Sequence, residues 1–246
     1  MLANSGVQGA YIVHGITGYE SREKFLEGVF NNQQILPFEF VTEYQDSALN
    51  EELIKKYFTD DIRTVLGKGA LFCTLVHILI YEKVIKNDNE FALVFENDVC
   101  FIDSNFLEKL KPIVEEAKQL EKGFIISLEN TTLEFPSWRV VKKNKLLYKA
   151  KSGRCAGAYL IDKKAAVLMM EDAINRKCSK VIDWWHNDLI DRGVITMFWA
   201  HPPLTEQGSF NGKMTSSISI RNNGTIRRWR WLAQKYYKMY ILRIFR

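Results

Sequence analysis

Residues 91–95, FALVF, form an unbroken apolar run that ends abruptly on Glu96-Asn97-Asp98. The run is short for a helix and lacks the alternation of a strand with one wet face. It suits a strand buried on both faces of a sheet, and such a strand needs a covering layer on each side. The rest of the chain offers those layers. Ala10–Ile16, Phe38–Val41, Gly123–Leu128, Ala156–Ile161 and Val194–Trp199 read as further strands. Ser21–Gln33, Asn50–Tyr57, Gly69–Ile85, Ser104–Glu121, Lys163–Asn175 and Ile182–Asp191 read as helices, with Pro112 set to break or kink the fourth. Trp138–Val141 and Lys145–Lys149 suggest a hairpin about Lys143-Asn144, and the Gly/Ser/Thr/Asn-rich stretch 201–224 reads as loop. The alternation of strands and helices predicts an α/β fold with helices on both faces of the sheet.

Desolvating a carboxylate is costly unless something pairs with it. Glu96 and Asp98 therefore need a partner where FALVF ends. In open α/β sheets, ligands bind outside the carboxyl ends of strands. If the strand continues, Glu96 and Asp98 share one face and Asn97 points to the other. Two carboxylates on one face suit a hard divalent cation such as Mg²⁺ or Mn²⁺. The acid-x-acid spacing alone leaves solvated acids at an ordinary strand end as the alternative. The chain has no G-x-x-x-x-G-K-[ST] loop, no G-x-S-x-G elbow and no G-x-G-x-x-G after the first strand. Its four histidines (His14, His77, His186, His201) do not form a zinc motif.

Charge divides the chain unevenly. Residues 221–246 carry eight Lys/Arg and no acid, whereas residues 1–220 hold 26 basic and 29 acidic groups, a net of −3. The tail therefore reads as a module with an anionic partner of its own. The body division is 1–220 and 221–246. Cys73, Cys100, Cys155 and Cys178 form no C-x-x-C pair and read as free thiols in a reducing compartment. The N-terminus shows no secretory pattern, and the apolar stretch 70–81 is too short to span a bilayer. A cytoplasmic protein is expected, peripheral on the inner face of the cytoplasmic membrane.

Four blocks together resemble glycosyltransferase family 25, the bacterial lipooligosaccharide galactosyl- and glucosyltransferases related to collagen galactosyltransferases. They are YIVHGITGYESR, GKGALFCTLVHILIYEKVI, ALVFENDV, and AGAYLIDKKAAVLM followed by VIDWWHNDL and HPPLTEQGS. Order and spacing agree over about residues 10–220. Two positions depart from the family pattern: Asn97 replaces the middle Asp of the acidic block, and Val76 replaces a Ser before His77.

The resemblance implies a GT-A-like mixed sheet flanked by helices. It also implies inverting transfer of galactose or glucose from a UDP-sugar to a lipooligosaccharide or LPS-type glycan. It places Glu96, Asp98 and His201 on a Mn²⁺ or Mg²⁺ ion, and His14, Gly15, Arg22, Gly69, His77, Asn97 and Gln207 around the donor. Tyr159 falls near the acceptor, and Trp184 and Trp185 either stack on sugar rings there or pack in the core. Inversion needs a base for the attacking hydroxyl, and the candidates are Asp183 and Asp188. Five helical residues separate them by about 140° in azimuth, so they do not face one point. Asp183 is preferred, with a helix N-cap as its alternative role. If Asn97 weakens the acidic block, a non-catalytic nucleotide-sugar or glycan binding protein is the alternative.

The tail TIRRWRWLAQKYYKMYILRIFR, residues 225–246, forms an amphipathic pattern at helical period. Ile226, Trp229, Leu232, Ala233, Tyr236, Tyr240 and Ile244 share one face, and Arg227, Arg228, Lys235, Lys238 and Arg246 the other; Arg230 and Arg243 border the apolar face, while Trp231, Leu242 and Phe245 fall on the polar one. Basic residues interleaved with Trp and Tyr suit an anionic membrane surface. The alternatives are docking on the body or on a second copy in a homodimer. Nucleic acid is not expected as a partner, because the mildly acidic body offers no groove to extend the basic surface.

Overall fold

The computed structural model describes residues 2–15, 20–42, 50–214 and 225–245. In chain order the elements are β1 (Gly9–Val13), α1 (Glu20–Asn32), β2 (Glu39–Val41), α2 (Glu51–Tyr57), α3 (Ile62–Val65), α4 (Lys68–Lys86), β3 (Phe91–Glu96), β4 (Val99–Phe101), α5 (Phe106–Ala117) and β5 (Phe124–Ser127). There follow β6 (Leu147–Ala150), β7 (Ala158–Asp162), α6 (Lys163–Asn175), α7 (Ile182–Asp191), β8 (Thr196–Ala200), β9 (Thr205–Gln207), α8 (Gly208–Asn211) and α9 (Thr225–Tyr236).

Seven of the strands form one sheet in the order β2-β1-β3-β7-β5-β8-β6. β2, β1 and β3 are parallel, β7 is antiparallel to both its neighbours, β8 is parallel to β5, and β6 closes the edge antiparallel to β8. This is the mixed α/β sheet flanked by helices that was expected. The strand at the centre of the argument is buried throughout, from Phe91 to Phe95. Its side chains alternate between two cores. Ala92 and Val94 pack with the residues of α4, α6 and α7. Phe91, Leu93 and Phe95 pack with those of α1 and α5. The period of two therefore turns Glu96, the last strand residue, toward α4.

α4 is nearly apolar all round and is buried from Cys73 to Tyr81, as a helix pressed between sheet and neighbouring helices must be. Val76 is fully enclosed there among apolar side chains. α5 runs continuously through Pro112, ending earlier than the sequence pattern suggests. Asp162 joins two elements: it caps α6 through Ala165 N (2.8 Å), and its other oxygen accepts from the backbone N–H groups of Gly123 and Phe124 (2.8 Å each) at the start of β5.

Three expectations change. No 138–149 hairpin forms: residues 138–141 turn back on Ser137, whose carbonyl accepts from Val140 and Val141 N, and Trp138 lies under the Arg243 guanidinium at 4.0 Å. β6 pairs with β8 instead. The 201–224 stretch is not all loop, since β9 pairs antiparallel with β4 in a separate ribbon and leads directly into α8. Residues 215–224 of that stretch, including the 220/221 division, and Ile16 of the expected first strand lie outside the described residues.

The tail is helical and docks on the body chiefly by its polar side, not by the apolar face that docking was expected to use. Trp231, placed on the polar side by the pattern, is buried with Leu133 and Phe135, and Leu232 and Met239 pack against them. Lys235 pairs with Glu206, Lys238 donates to Thr132 O, Arg227 to Ser209 O, and Arg243 to Pro136 O. A cleft lined by Leu133 and Phe135 accepts one indole, and carbonyl and carboxylate groups around it engage the cations. Ile226, Trp229, Tyr236, Tyr240 and Ile244 are left exposed. After α9 the turns widen over Tyr237–Ile241 and tighten over Leu242–Phe245, so the tail is not one uniform α-helix.

Candidate active site

The acids lie at the carboxyl end of β3, where the chain turns sharply through Asn97 and Asp98 into β4. The Glu96 carboxylate meets α4 on one side, with Oε1 3.7 Å from Cys73 Sγ and 3.6 Å from His77 Nε2. On the other side Oε2 accepts from Gln207 Nε2 at 2.7 Å. Gln207 reaches it across Gly157, where a Cβ would lie 2.5 Å from the glutamine side chain. A side chain at 157 would therefore displace Gln207. Asp98 is buried and holds the start of α8: its Oδ2 accepts from Ser209 N at 3.1 Å, and its carbonyl accepts from Gly208 N at 2.7 Å. Its Oδ1 has no hydrogen-bond partner among the described residues. Asn97 Oδ1 accepts from Arg22 Nη1 at 3.1 Å, which ties α1 to the turn.

Burial pushes the Glu96 carboxyl up to about 6. Burial, then the charge of Glu96, raises Asp98. Asp183, in the first turn of α7, is raised by burial, with Glu96 adding to it. Several carboxyls thus crowd one partly dry place, each opposing the ionisation of the next. A divalent cation relieves that repulsion. Glu96 at the strand end and Asp98 in the turn after it, the latter with a buried oxygen lacking a partner among the described residues, would fit such an ion.

The family model for glycosyltransferase family 25, described as an LPS biosynthesis protein, matches residues 11–182. The chain belongs to glycosyltransferase family 25. It is similar to the lipooligosaccharide biosynthesis protein lic2B of Haemophilus influenzae, at 27% identity over 162 residues, 63% of this chain and 59% of that protein. A second Haemophilus influenzae relative, carrying a provisional glycosyltransferase name, is 24% identical over 188 residues, 74% of this chain and 64% of its own length. The chain thus matches somewhat under two thirds of each relative. Among solved structures, a glycosyltransferase involved in glycosylation of the major capsid of PBCV-1 aligns with 92% of this chain and 100% of its own, at 10% identity and a TM-score of 0.42.

Within this family member the residues expected at the site divide clearly. Glu96, Asp98, Asn97, Arg22, Gln207 and His77 adjoin the acidic turn. Val13 pairs with Glu96, so Gly15 lies two residues beyond, at the same end of the sheet. Gly69 is exposed in the first turn of α4, one turn before Cys73. Asp183 is not the cap of α7; Val181 holds that position, and Asp183 follows it by two residues, accepting from Trp184 N at 2.9 Å.

Other expected residues belong elsewhere. Asp188 faces away, held by Lys180 and by Arg192 Nε at 2.8 Å. His201 is not brought to the acids: it packs against Phe135 and Tyr148, and its Nε2 accepts from Arg243 at 3.2 Å. His14 is buried on Phe40 with Glu23 3.7 Å away. Tyr159 and Trp185 are too buried to meet an acceptor. The Tyr159 hydroxyl is engaged by His77 (2.8 Å) and Tyr81 (2.9 Å), and the Trp185 indole by Asp172 (3.4 Å). Trp184 is exposed.

Sequence reasoning missed Glu129. Fully buried, it accepts from Gly157 N at 2.5 Å and from the Thr131 hydroxyl. Burial pushes its carboxyl up to about 8, with Glu96 and Asp98 contributing. The hydrogen bonds from Thr131 and Gly157 temper this, and the Glu129 charge in turn supports the protonated form of Arg154, buried on the carbonyls of Ser127 (3.1 Å) and Ala200 (3.2 Å). As pH rises from about 4.5 to about 8, the unfolded chain ionises this residue while the folded protein keeps its proton, so stability falls across that window. Glu129→Gln keeps the acceptor for Gly157 N and removes the titration. It is expected to gain roughly 2–4 kcal/mol over wild type between pH 5 and pH 8.5 in urea melts. Parallel pH profiles for the two proteins would refute this.

Proposed function

We propose that this chain transfers galactose or glucose from a UDP-sugar, with inversion, to a lipooligosaccharide-type glycan. The observation that carries the reading is the placement of Glu96 and Asp98 at and just beyond the carboxyl end of β3, with the Asp183 carboxyl near enough to feel the Glu96 charge, in a family 25 chain. Glu96 and Asp98 would hold Mn²⁺ or Mg²⁺, which supplies neutralisation of charge on the departing diphosphate. Arg22 faces the same turn and offers a second positive group. Asp183 takes the proton of the acceptor hydroxyl as its oxygen bonds to the anomeric carbon and the bond to the diphosphate breaks. Asn97 supports catalysis rather than loss of function: its amide holds Arg22, and it lies outside the Glu96–Asp98 pair. Release of free UDP from a panel of UDP-sugars, with and without Mn²⁺, tests the reading. Tight donor binding with no release under any metal would favour the non-catalytic binding protein instead.

The exposed tail residues Ile226, Trp229, Tyr236, Tyr240 and Ile244 support placement on an anionic membrane surface. Among the described residues no helix is long and apolar enough to cross a membrane. Because Arg227, Lys235 and Lys238 already contact the body, aromatic insertion contributes more here than charge. The protein is expected to co-sediment with anionic vesicles, with only a moderate loss in high salt. Trp229→Ala is expected to weaken binding by about tenfold, as removal of a buried aromatic anchor does. Full-length protein that stays in the supernatant at low salt would show the tail to be structural only.

A further inference from the structure

We propose that Cys73, His77 and Glu96 form a binding site for a thiophilic divalent cation of the Zn²⁺ class. Cys73 and His77 are four residues apart on α4, so they share one face of the helix. The alternation of β3 turns Glu96 onto that face. Their three donor atoms lie within 4.8 Å of one another. Bond lengths to tetrahedral zinc imply separations of about 3.6 Å for sulfur to oxygen and about 3.4 Å for nitrogen to oxygen. Here they are 3.7 and 3.6 Å, and sulfur and nitrogen lie within 4.8 Å of each other.

A second observation points the same way. His77 is fully buried, and its Nε2, facing Cys73 and Glu96, has no hydrogen-bond partner among the described residues. Its other nitrogen is fixed: Nδ1 bonds the Tyr159 hydroxyl, which bonds Tyr81, which bonds His186 Nε2 at 2.8 Å. A bound cation selects the direction in which Nδ1–H donates to Tyr159, Tyr159 to Tyr81, and Tyr81 to His186. That direction leaves the Nε2 lone pair aimed at the site, and metal-bound histidines are oriented by partners of this kind.

The donor set also separates this site from the oxygen clamp. Thiolate and imidazole favour zinc-like ions, whereas Mg²⁺ and Mn²⁺ prefer oxygen. One thiolate and one carboxylate balance a charge of +2, and three protein ligands leave a coordination position open. Glu96 belongs to both sites, with Oε1 toward α4 and Oε2 toward Gln207. It follows, if the transferase reading holds, that Zn²⁺ inhibits transfer by withdrawing Glu96 from Asp98. Binding itself does not depend on that reading.

Cobalt tests it spectroscopically. The full-length protein, without nucleotide or Mn²⁺, is titrated with Co²⁺. One ion per chain is expected, with a thiolate-to-cobalt charge-transfer band and the strong visible bands of a tetrahedral site, all erased by Zn²⁺. Thiolate ligation displaces the Cys73 thiol proton, so binding weakens as pH falls. Cys73→Ser, nearly isosteric, loses the charge-transfer band, and His77→Gln weakens binding, both with unchanged circular dichroism; Cys100→Ser retains the band. Absence of a thiolate band in the folded wild type, or its survival in Cys73→Ser, overturns the site. A protein that releases UDP with Mn²⁺ yet gives no cobalt band overturns this inference and leaves the transferase reading intact. A band without any UDP release does the reverse.

Discussion

Asp98→Asn is expected to lower the transfer rate about a thousandfold or more, while the protein melts no lower than wild type. The two effects separate because the two oxygens of Asp98 do different things. Oδ2 accepts from Ser209 N, and an asparagine oxygen does this equally well. Oδ1 is buried without a partner among the described residues, and the carboxyl is raised by burial and by Glu96, so its charge opposes folding of the metal-free protein. Replacing it with a neutral amide removes that repulsion. The same replacement halves the charge of the clamp. Loss of a preorganised electrostatic contact to a developing charge costs about 10²–10³ in rate, and loss of the cation adds to this. The Mn²⁺-induced rise in Tm should vanish with the activity. Asn97→Asp, by contrast, is expected to change the rate little, since residue 97 engages Arg22. Full turnover in EDTA, with Asp98→Asn as active as wild type, would remove the clamp from the mechanism.

Glu96 was legible in the sequence because FALVF is too short for a helix of ordinary length and reads as a buried strand, whose end lies at the sheet edge. Asp98 was legible as a residue but not in its geometry. The strand stops at Glu96, so alternation does not govern residue 98; a turn and the start of α8 place it. Glu129 gave no signal, because Leu128-Glu129-Asn130 reads as the exit of a strand and only the fold brings Gly157 and Thr131 to it. Between Trp184 and Trp185 the pattern favours the second for the core: with Ile182 and Leu189, Trp185 follows the helical i, i+3, i+7 spacing that marks a buried face. Asp188 and Arg192, four apart, could likewise have been read as an ion pair. The histidine at 201 and the tail were beyond reach for a shared reason. His201 is engaged by Arg243, and Trp231 enters a cleft formed by Leu133 and Phe135, roughly a hundred residues away in sequence. Periodicity gives a helix two faces but does not say which one the body will accept.

Asp183→Asn is expected to lower kcat by about 10²–10⁴-fold, the range associated with a positioned general base, with donor affinity nearly unchanged. The substitution spares the fold, because the asparagine oxygen still accepts from Trp184 N at the start of α7. It also spares the Glu96–Asp98 pair. Burial and the neighbouring Glu96 hold the Asp183 carboxyl above the ordinary range, which sets the sign of the pH dependence. The wild type loses rate as pH falls through that raised value, because the base becomes protonated; above it the rate is level. The variant, having no carboxylate at 183 to titrate, should lose this part of the acidic limb. Asp188→Asn supplies the contrast. Asp188 is partly exposed between Lys180 and Arg192, and exposed ion pairs contribute about 1 kcal/mol or less, so a slightly lower Tm and a near-normal kcat are expected. The reverse pattern, with Asp188→Asn slow and Asp183→Asn near normal, would take the base away from the first turn of α7.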